Sequence, residues 1–99
     1  MAELLTDADI DERLAALDDW RREGDFIVRD RELADFAAAL AWVNAVGQEA
    51  EAANHHPDIL VHGWNNVRLT LTTHSAGKLT DNDRAMAERI DGLPLRSSP

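Results

Sequence analysis

All four histidines of this 99-residue chain fall within twenty positions, at His55, His56, His62 and His74. Imidazole is the side chain whose unperturbed titration lies near neutral pH, so several of them around one pocket would offer both a proton donor and a proton acceptor. The chain has no cysteine, hence no thiolate nucleophile, thiolate metal site or disulfide framework. Glu51 stands four residues before His55, a spacing that on a helix lets a carboxylate fix an imidazole's tautomer and raise its basicity. If that helix lasts long enough, His56 points roughly 100° further around its axis. His74, at a strand end, has to be brought in by the fold. His62 shares its strand face with Leu60 and Trp64 and reads as structural. Two plainer readings compete. Histidines near a helix end are favoured there by the helix dipole whether or not they react. Glu51, His55 and His74 would also make a metal-ligand set, although the HExxH spacing of zinc enzymes is absent.

The elements that must position these residues can be read from local rules. Thr6 before ADIDERLAAL, with Asp9 three positions on, predicts a capped helix with early acids Asp7, Asp9, Asp11 and Glu12 and an apolar stripe of Ile10, Leu14 and Leu17. Trp20 to Asp30, WRREGDFIVRD, predicts a hairpin turning at Glu23, Gly24 and Asp25. Trp20 itself suits either the core or a flat surface for a ring ligand.

From Glu32 to about His55 no proline interrupts an Ala- and Leu-rich stretch, which predicts a long helix. Leu33, Phe36, Ala37, Leu40, Val43, Gly47 and Ala50 recur at intervals of three and four and predict its buried face; Trp42 and Val46 lie beside it, widening the stripe or meeting another subunit. Gly47 weakens a helix by about 1 kcal/mol relative to Ala, a cost easier to understand if another backbone comes close there. Pro57 ends the helix by pushing the residue before it out of the helical region.

Ile59 to Trp64 and Val67 to His74 predict a second hairpin turning at Asn65 and Asn66. Val67, Leu69 and Leu71 point one way, and Arg68, Thr70, Thr72 and His74 the other. Thr80 and Asp83 predict a capped last helix stopped by Gly92 and Pro94. The order helix, two strands, long helix, two strands, helix predicts a two-layer α+β fold: a four-stranded antiparallel sheet with its helices packed on one face.

Length and composition bound the function. Ninety-nine residues allow one core, so a single domain is expected over 1–99, with a core of about 4–92 and a frayed tail at 93–99. An apolar content of 44% with 5 Gly and 3 Pro marks a folded chain. The net charge of -9, from 19 acidic and 10 basic residues, disfavours nucleic acid as a partner. No apolar run approaches the roughly 20 residues a membrane span needs. The acidic start MAELLTDAD lacks the regions of a signal peptide, so a cytoplasmic location is expected. Domains this small often bury extra surface by oligomerising.

One set of spacings goes further. Glu51, three residues, His55-His56-Pro57, six residues, Trp64, nine residues, His74, eight residues and Asp83 together resemble the signature of the pterin-4a-carbinolamine dehydratase family. The likeness extends to Leu17 to Trp20, the Gly24-Asp25 turn, Asp35-Phe36, Leu71-Thr72-Thr73-His74 and Leu79-Thr80, and covers roughly residues 4 to 92. The resemblance implies a lyase that dehydrates 4a-hydroxytetrahydropterin to quinonoid dihydropterin, recycling the tetrahydrobiopterin cofactor of an aromatic amino-acid hydroxylase. It implies no metal and no bound cofactor, and a homodimer or homotetramer.

By similarity, His55, His56 and His74 are the active-site imidazoles, His55 and His74 moving protons while His56 holds the pterin. Glu51 would orient His55, and Asn54, Thr72, Thr73 and Ser75 would line the pterin site with Trp20 nearby. Asp83 suits a helix cap or a substrate contact. Asn54 stands where several members carry Asp, and Arg31-Glu32-Leu33 replaces an aromatic segment of animal members. Animal relatives also act as dimerisation partners of a transcription factor, and degenerate relatives as assembly factors, so the alternative is a non-catalytic dimerisation or assembly factor of the same fold.

Overall fold

The computed structural model of the chain describes residues 6–93 as α1 (Asp7–Leu14), β1 (Arg21–Glu23), β2 (Phe26–Glu32), α2 (Phe36–Ala53), β3 (Asp58–His62), β4 (Asn66–Leu71) and α3 (Asp81–Asp91). The strands form one antiparallel sheet in the order β1-β2-β4-β3. This is the expected α+β architecture: each hairpin folds locally, and α2 carries the chain across the sheet so that β4 pairs with β2 from Ile27↔Leu71 to Glu32↔Asn66. Strand alternation then divides the sheet into two faces. Ile27, Val67, Leu69 and Leu71, all at 0% exposure, face the helices and form the core with Ile10, Leu79, Met86 and Ile90. On the opposite face Arg68 and Asp30 are register partners, and Arg68 Nε donates to Asp30 at 2.7 Å. Arg68, aided by Arg21, holds the Asp30 carboxyl at about 2, below the usual aspartate range.

The local signals for element ends hold where a cap or a turn defines them. Thr6 caps α1 in a capping box with Asp9, and Thr80 caps α3 in another with Asp83. Gly24, at φ +63, takes the left-handed position of the first turn, which Gly adopts without steric cost. Elsewhere the boundaries move. β2 runs on to Glu32, and α2 starts at Phe36, where the Asp35 carboxylate accepts from Ala38 N at 2.8 Å. Leu33 between them is buried and pairs with Asn65 in both directions, at 2.8 and 3.0 Å. The second turn falls at Gly63 and Trp64, both in the left-handed region, so Trp64 is a 61% exposed turn residue and not part of β3. β4 ends at Leu71, leaving Thr72 to Ser75 in the loop beyond the strand.

The buried face of α2 differs from the expected one. Ala38, Ala39, Trp42, Val46 and Ala50 face inward, whereas Phe36 and Leu40 are 50% and 41% exposed and Val43 and Gly47 are half-buried. The helix is apolar almost all the way round, so spacing fits two faces. Trp42 selects between them: its ring packs over the sheet against the guanidinium groups of Arg29 and Arg31, 5.4 and 4.8 Å from the ring centroid, at cation–π distance. Of the terminal segments, residues 1–5 and 94–99 lie outside the described residues, including most of the expected frayed tail, while Leu93 packs against the core.

Because Leu69 sits at the centre of the sheet with no exposure, Leu69→Ala is expected to lower the unfolding free energy by about 2–5 kcal/mol. Urea unfolding with an unchanged denaturant slope checks this, and a loss below that range would place the core elsewhere.

Candidate active site

Three chain segments meet at the site, and each is held there for a local reason. The first is the end of α2. Asn54 adopts the left-handed conformation at φ 51, which Asn tolerates better than most residues, and His55 N donates back to Ala50 O at 3.1 Å in the manner of a Schellman cap. The chain therefore leaves the helix one residue before His55, and Pro57 prevents its return. The second is the loop after β4, from Thr72 to Ser75. Thr72 Oγ1 donates to Asp25 O at 2.7 Å, and Gly77, at φ +68, closes a turn in which its N–H donates to Thr73 O at 2.9 Å. The third is the N-terminal turn of α3, which carries Asp83 at the capping-box position.

Asp83 joins all three. Its carboxylate is 1% exposed; one oxygen accepts from Thr80 N at 2.9 Å and Thr73 Oγ1 at 2.8 Å, and the other lies 2.6 Å from His55 Nε2. A carboxylate already accepting two donors calls for a third, so the bond to His55 is Nε2–H donating to Oδ1. This assigns the neutral ring the tautomer with its lone pair on Nδ1. Thr73 completes the network through a 2.7 Å hydroxyl contact with Thr80.

Asn54, His55, His56, Thr72, Thr73, His74 and Ser75 all line one cleft of about 300 Å³, together with Pro57 and Asp58. Such a volume lies at the small end of the range for small-molecule sites. His74 and Ser75 are exposed, and His55 is mostly buried against Asp83. The cleft thus pairs an imidazole anchored to a buried carboxylate with others open to solvent, an arrangement able to move protons to and from a bound small molecule.

The sequence profile described as Pterin 4 alpha carbinolamine dehydratase matches residues 3–93. The chain belongs to this family. Among the relatives of this dehydratase-family chain, a protein of Chloroflexus aurantiacus is 53% identical over 89 residues, covering 90% of this chain and 95% of its own, and one of a Roseiflexus species is 48% identical over 93 residues, covering 94% and 99%. Both carry the provisional name pterin-4-alpha-carbinolamine dehydratase. A crystal structure from Brucella melitensis, described as a transcriptional coactivator/pterin dehydratase, superposes with a TM-score of 0.83 at 32% identity over 90% of this chain and 96% of that one. A pterin dehydratase-like protein identified as a RuBisCO assembly factor in the alpha-carboxysome superposes at 0.63, with 28% identity over 80% of this chain and 92% of its own.

Within this family member, two expected positions change. Glu51 pairs with His56 and not with His55, because the left-handed residue at Asn54 breaks the four-residue register that a continuous helix would have provided. Glu51 lines a separate groove with Val43, Gly47 and Ile59. The alternative ligand set of Glu51, His55 and His74 is consequently not assembled, and no metal-holding group of three or more His, Cys, Asp or Glu occurs among the described residues. Trp20 is buried in the core, where Nε1 donates to Asp91 Oδ1 at 2.9 Å, and it does not line the cleft. His62 is exposed at the end of β3, also away from the cleft. The partnership of Asp83 with His55 was the relation that spacing alone missed; the Thr80-x-x-Asp83 capping box marks where the carboxylate sits but not what it faces.

The turn that holds Asp83 is itself braced by Asp81, whose carboxylate is bound by Arg84, at 2.6 and 2.9 Å, and by Arg13. Arg84 is the main reason the Asp81 carboxyl is depressed from 3.8 to about 2. A depressed folded-state value means stabilisation that is present above 3.8 and lost as pH falls through about 2. Asp81→Asn is therefore expected to cost on the order of 1–2 kcal/mol at neutral pH. The difference from the parent should shrink as urea unfolding is repeated at progressively lower pH, and a pH-independent difference would contradict the pairing.

Proposed function

We propose that the histidine cleft dehydrates 4a-hydroxytetrahydropterin to quinonoid dihydropterin by acid–base catalysis. The observation that carries this reading is the convergence of His55, His56 and His74 on one small cleft in a chain of the dehydratase family, with His55 anchored by buried Asp83. In the reaction the C4a–O bond breaks and the hydroxyl departs as water, taking one proton from an acid. N5 gives up its proton to a base as the C4a=N5 bond forms, so the enzyme's proton count returns to its starting value. With its Nε2–H given to Asp83, neutral His55 retains a lone pair on Nδ1 and suits the role of base. His74, exposed and able to exchange protons with solvent, suits the acid. His56, paired with Glu51 at the rim, suits substrate holding. The residues lining the cleft supply this chemistry without a metal or bound cofactor. Such an enzyme would work in the cytoplasm beside an aromatic amino-acid hydroxylase, whose tetrahydrobiopterin it would return to the cycle.

The exposed stripe of α2 supports a homo-oligomer. Phe36 and Leu40 are exposed on the side turned away from the core, half-buried Val43 and Gly47 continue from them at helical spacing along its edge, and a Cβ on Gly47 would meet nothing within 4 Å among the described residues. The cost of a mid-helix glycine is thus unexplained by internal packing, and a second copy's helix is the occupant that explains it. The same stripe favours a second reading, a non-catalytic dimerisation or assembly factor of this fold. Catalysis by the pure chain, with no other protein present, separates the two.

Stopped-flow absorbance with synthetic 4a-hydroxytetrahydropterin tests the main reading. His55→Ala and His74→Ala are each expected to lower kcat by about 10²- to 10⁴-fold, His56→Ala to raise KM chiefly, and chelators to have no effect. No acceleration by the parent protein, or full activity in the joint His55→Ala and His74→Ala variant, would reject it. For the assembly, Leu40→Glu and Gly47→Ile are expected to lower the sedimentation coefficient toward that of a monomer; unaltered sedimentation in both would count against the stripe as an interface.

A further inference from the structure

Among the described residues Arg31 is the one arginine without a carboxylate within 4 Å; each of the others, from Arg13 to Arg89, is ion-paired. The chain carries 19 acidic residues, so the exception is not for want of carboxylates. Arg31 is half-buried, its guanidinium carbon 4.8 Å from the centre of the Trp42 ring, and Arg29, two residues earlier on the same face of β2, packs 5.4 Å from the same centre. Loss of hydration, and then the charge of Arg29, holds the Arg31 guanidinium below its ordinary value. Two buried N–H groups at this ring have no acceptor among the described residues: Arg29 Nε and Trp42 Nε1, on residues 9% and 4% exposed. A buried donor left without an acceptor costs free energy. We infer that Arg31, with Arg29 and Trp42, forms a binding site for a small, singly charged carboxylate. None of the three lines the histidine cleft, and the site does not depend on the dehydratase reading.

The unpaired groups call for an acceptor that carries one negative charge. A guanidinium offers its N–H groups in a planar fork, and the two oxygens of a carboxylate match that fork. Stacking on Trp42 already restrains the Arg31 side chain, so less freedom is lost when a ligand binds. Each carboxylate oxygen accepts more than one bond, so a ligand held by Arg31 keeps lone pairs for a neighbouring N–H. Water satisfies such a donor but brings no charge to Arg31. Charge also sets an upper limit. Asp91 and Asp19 both bind Arg29, the latter at 3.5 Å, and both act on Arg31. A doubly charged phosphate is repelled by this pair of acids and by the net charge of -9. The burial of Arg29 and Trp42 sets the size, since only a group of a few atoms reaches their N–H donors.

The test is a titration of the full chain at pH 7 and constant ionic strength, with sodium formate or sodium acetate replacing sodium chloride, followed by tryptophan fluorescence and by the thermal unfolding midpoint. Each acid is expected to give a saturable fluorescence change with half-saturation on the order of 1–10 mM, within what three or four non-hydrogen atoms can supply. The midpoint should rise as the site fills. Arg31→Gln keeps all three tryptophans and is expected to abolish the saturable change. Arg31→Lys, which keeps the charge but not the fork, is expected to raise the half-saturating concentration about 10-fold. The joint His55→Ala and His74→Ala variant should respond as the parent does, since the histidine cleft is not the site. No saturable change when chloride is replaced, saturation undiminished in both Arg31 variants, its loss in the joint histidine variant, or tighter binding of sodium phosphate than of acetate overturns the assignment.

Discussion

A buried carboxylate has to be given donors or it costs several kcal/mol, and that requirement at Asp83 organises this molecule. Its three partners come from three places: Thr80 at the start of α3, Thr73 in the loop after β4, and His55 just beyond α2. Because each bond draws a different segment inward, satisfying one charge also closes the corner of the fold where the cleft lies. The N-terminal turn of α3 is a favourable home for that charge, since unpaired helix N–H groups and the helix dipole both support an anion there. The helix cap and the orienting of His55 are therefore one arrangement and not two. A residue that caps a helix in a structural sense is here also what fixes which imidazole nitrogen keeps its lone pair.

The second constraint is the left-handed residue at Asn54. Had α2 continued through His55, that ring would have stacked one turn below Glu51 on the helix surface. Ending the helix at Ala53 instead turns His55 toward the interior and sends His56 to the rim, where it meets Glu51. Two adjacent histidines thereby acquire different surroundings, one anchored to a buried carboxylate and one in an exposed pair. Exposed pairs of this kind contribute little to stability, about 0–1 kcal/mol, so the Glu51–His56 contact has little part in holding the corner together. The same left-handed turn brings Asn54 to the wall of the histidine cleft.

On the far side of α2 a different balance operates. Trp42 fills the space between helix and sheet and brings two arginines against its ring, with Arg29 further tied to Asp91 and Asp19. Once that large ring is inside, Phe36 and Leu40 have to face outward, with Val43 half-buried at the edge of the core. A small domain that leaves so much apolar side chain uncovered has reason to cover it with another chain. The histidine cleft lies beyond the C-terminal end of α2, whereas Phe36 and Leu40 belong to its first turns, so a chain of this fold can keep one while altering the other. This offers a physical route from dehydratases to relatives named for assembly.

What the sequence determined by itself is what local rules govern. Caps at Thr6 and Thr80, the glycine turn at Gly24 and the alternation of Val67, Leu69 and Leu71 each depend on residues a few positions apart, and all appear where those rules put them, whereas α2 ends at the left-handed Asn54 before Pro57 is reached. The three histidines of the cleft, with Asn54, Thr72, Thr73 and Ser75, were legible because their types and intervals match a family pattern. Pairings across the chain were not. Glu51 lies four residues from His55 and Asp83 lies 28 away, yet Asp83 is the partner, because proximity in space depends on a helix end and on the packing of α3. Likewise the buried face of α2 and the core position of Trp20 follow from which large rings the sheet can accommodate, a volume condition that no periodicity encodes. Only the assembled tertiary structure decides those, since the energies that choose among them are shared by residues far apart in the chain.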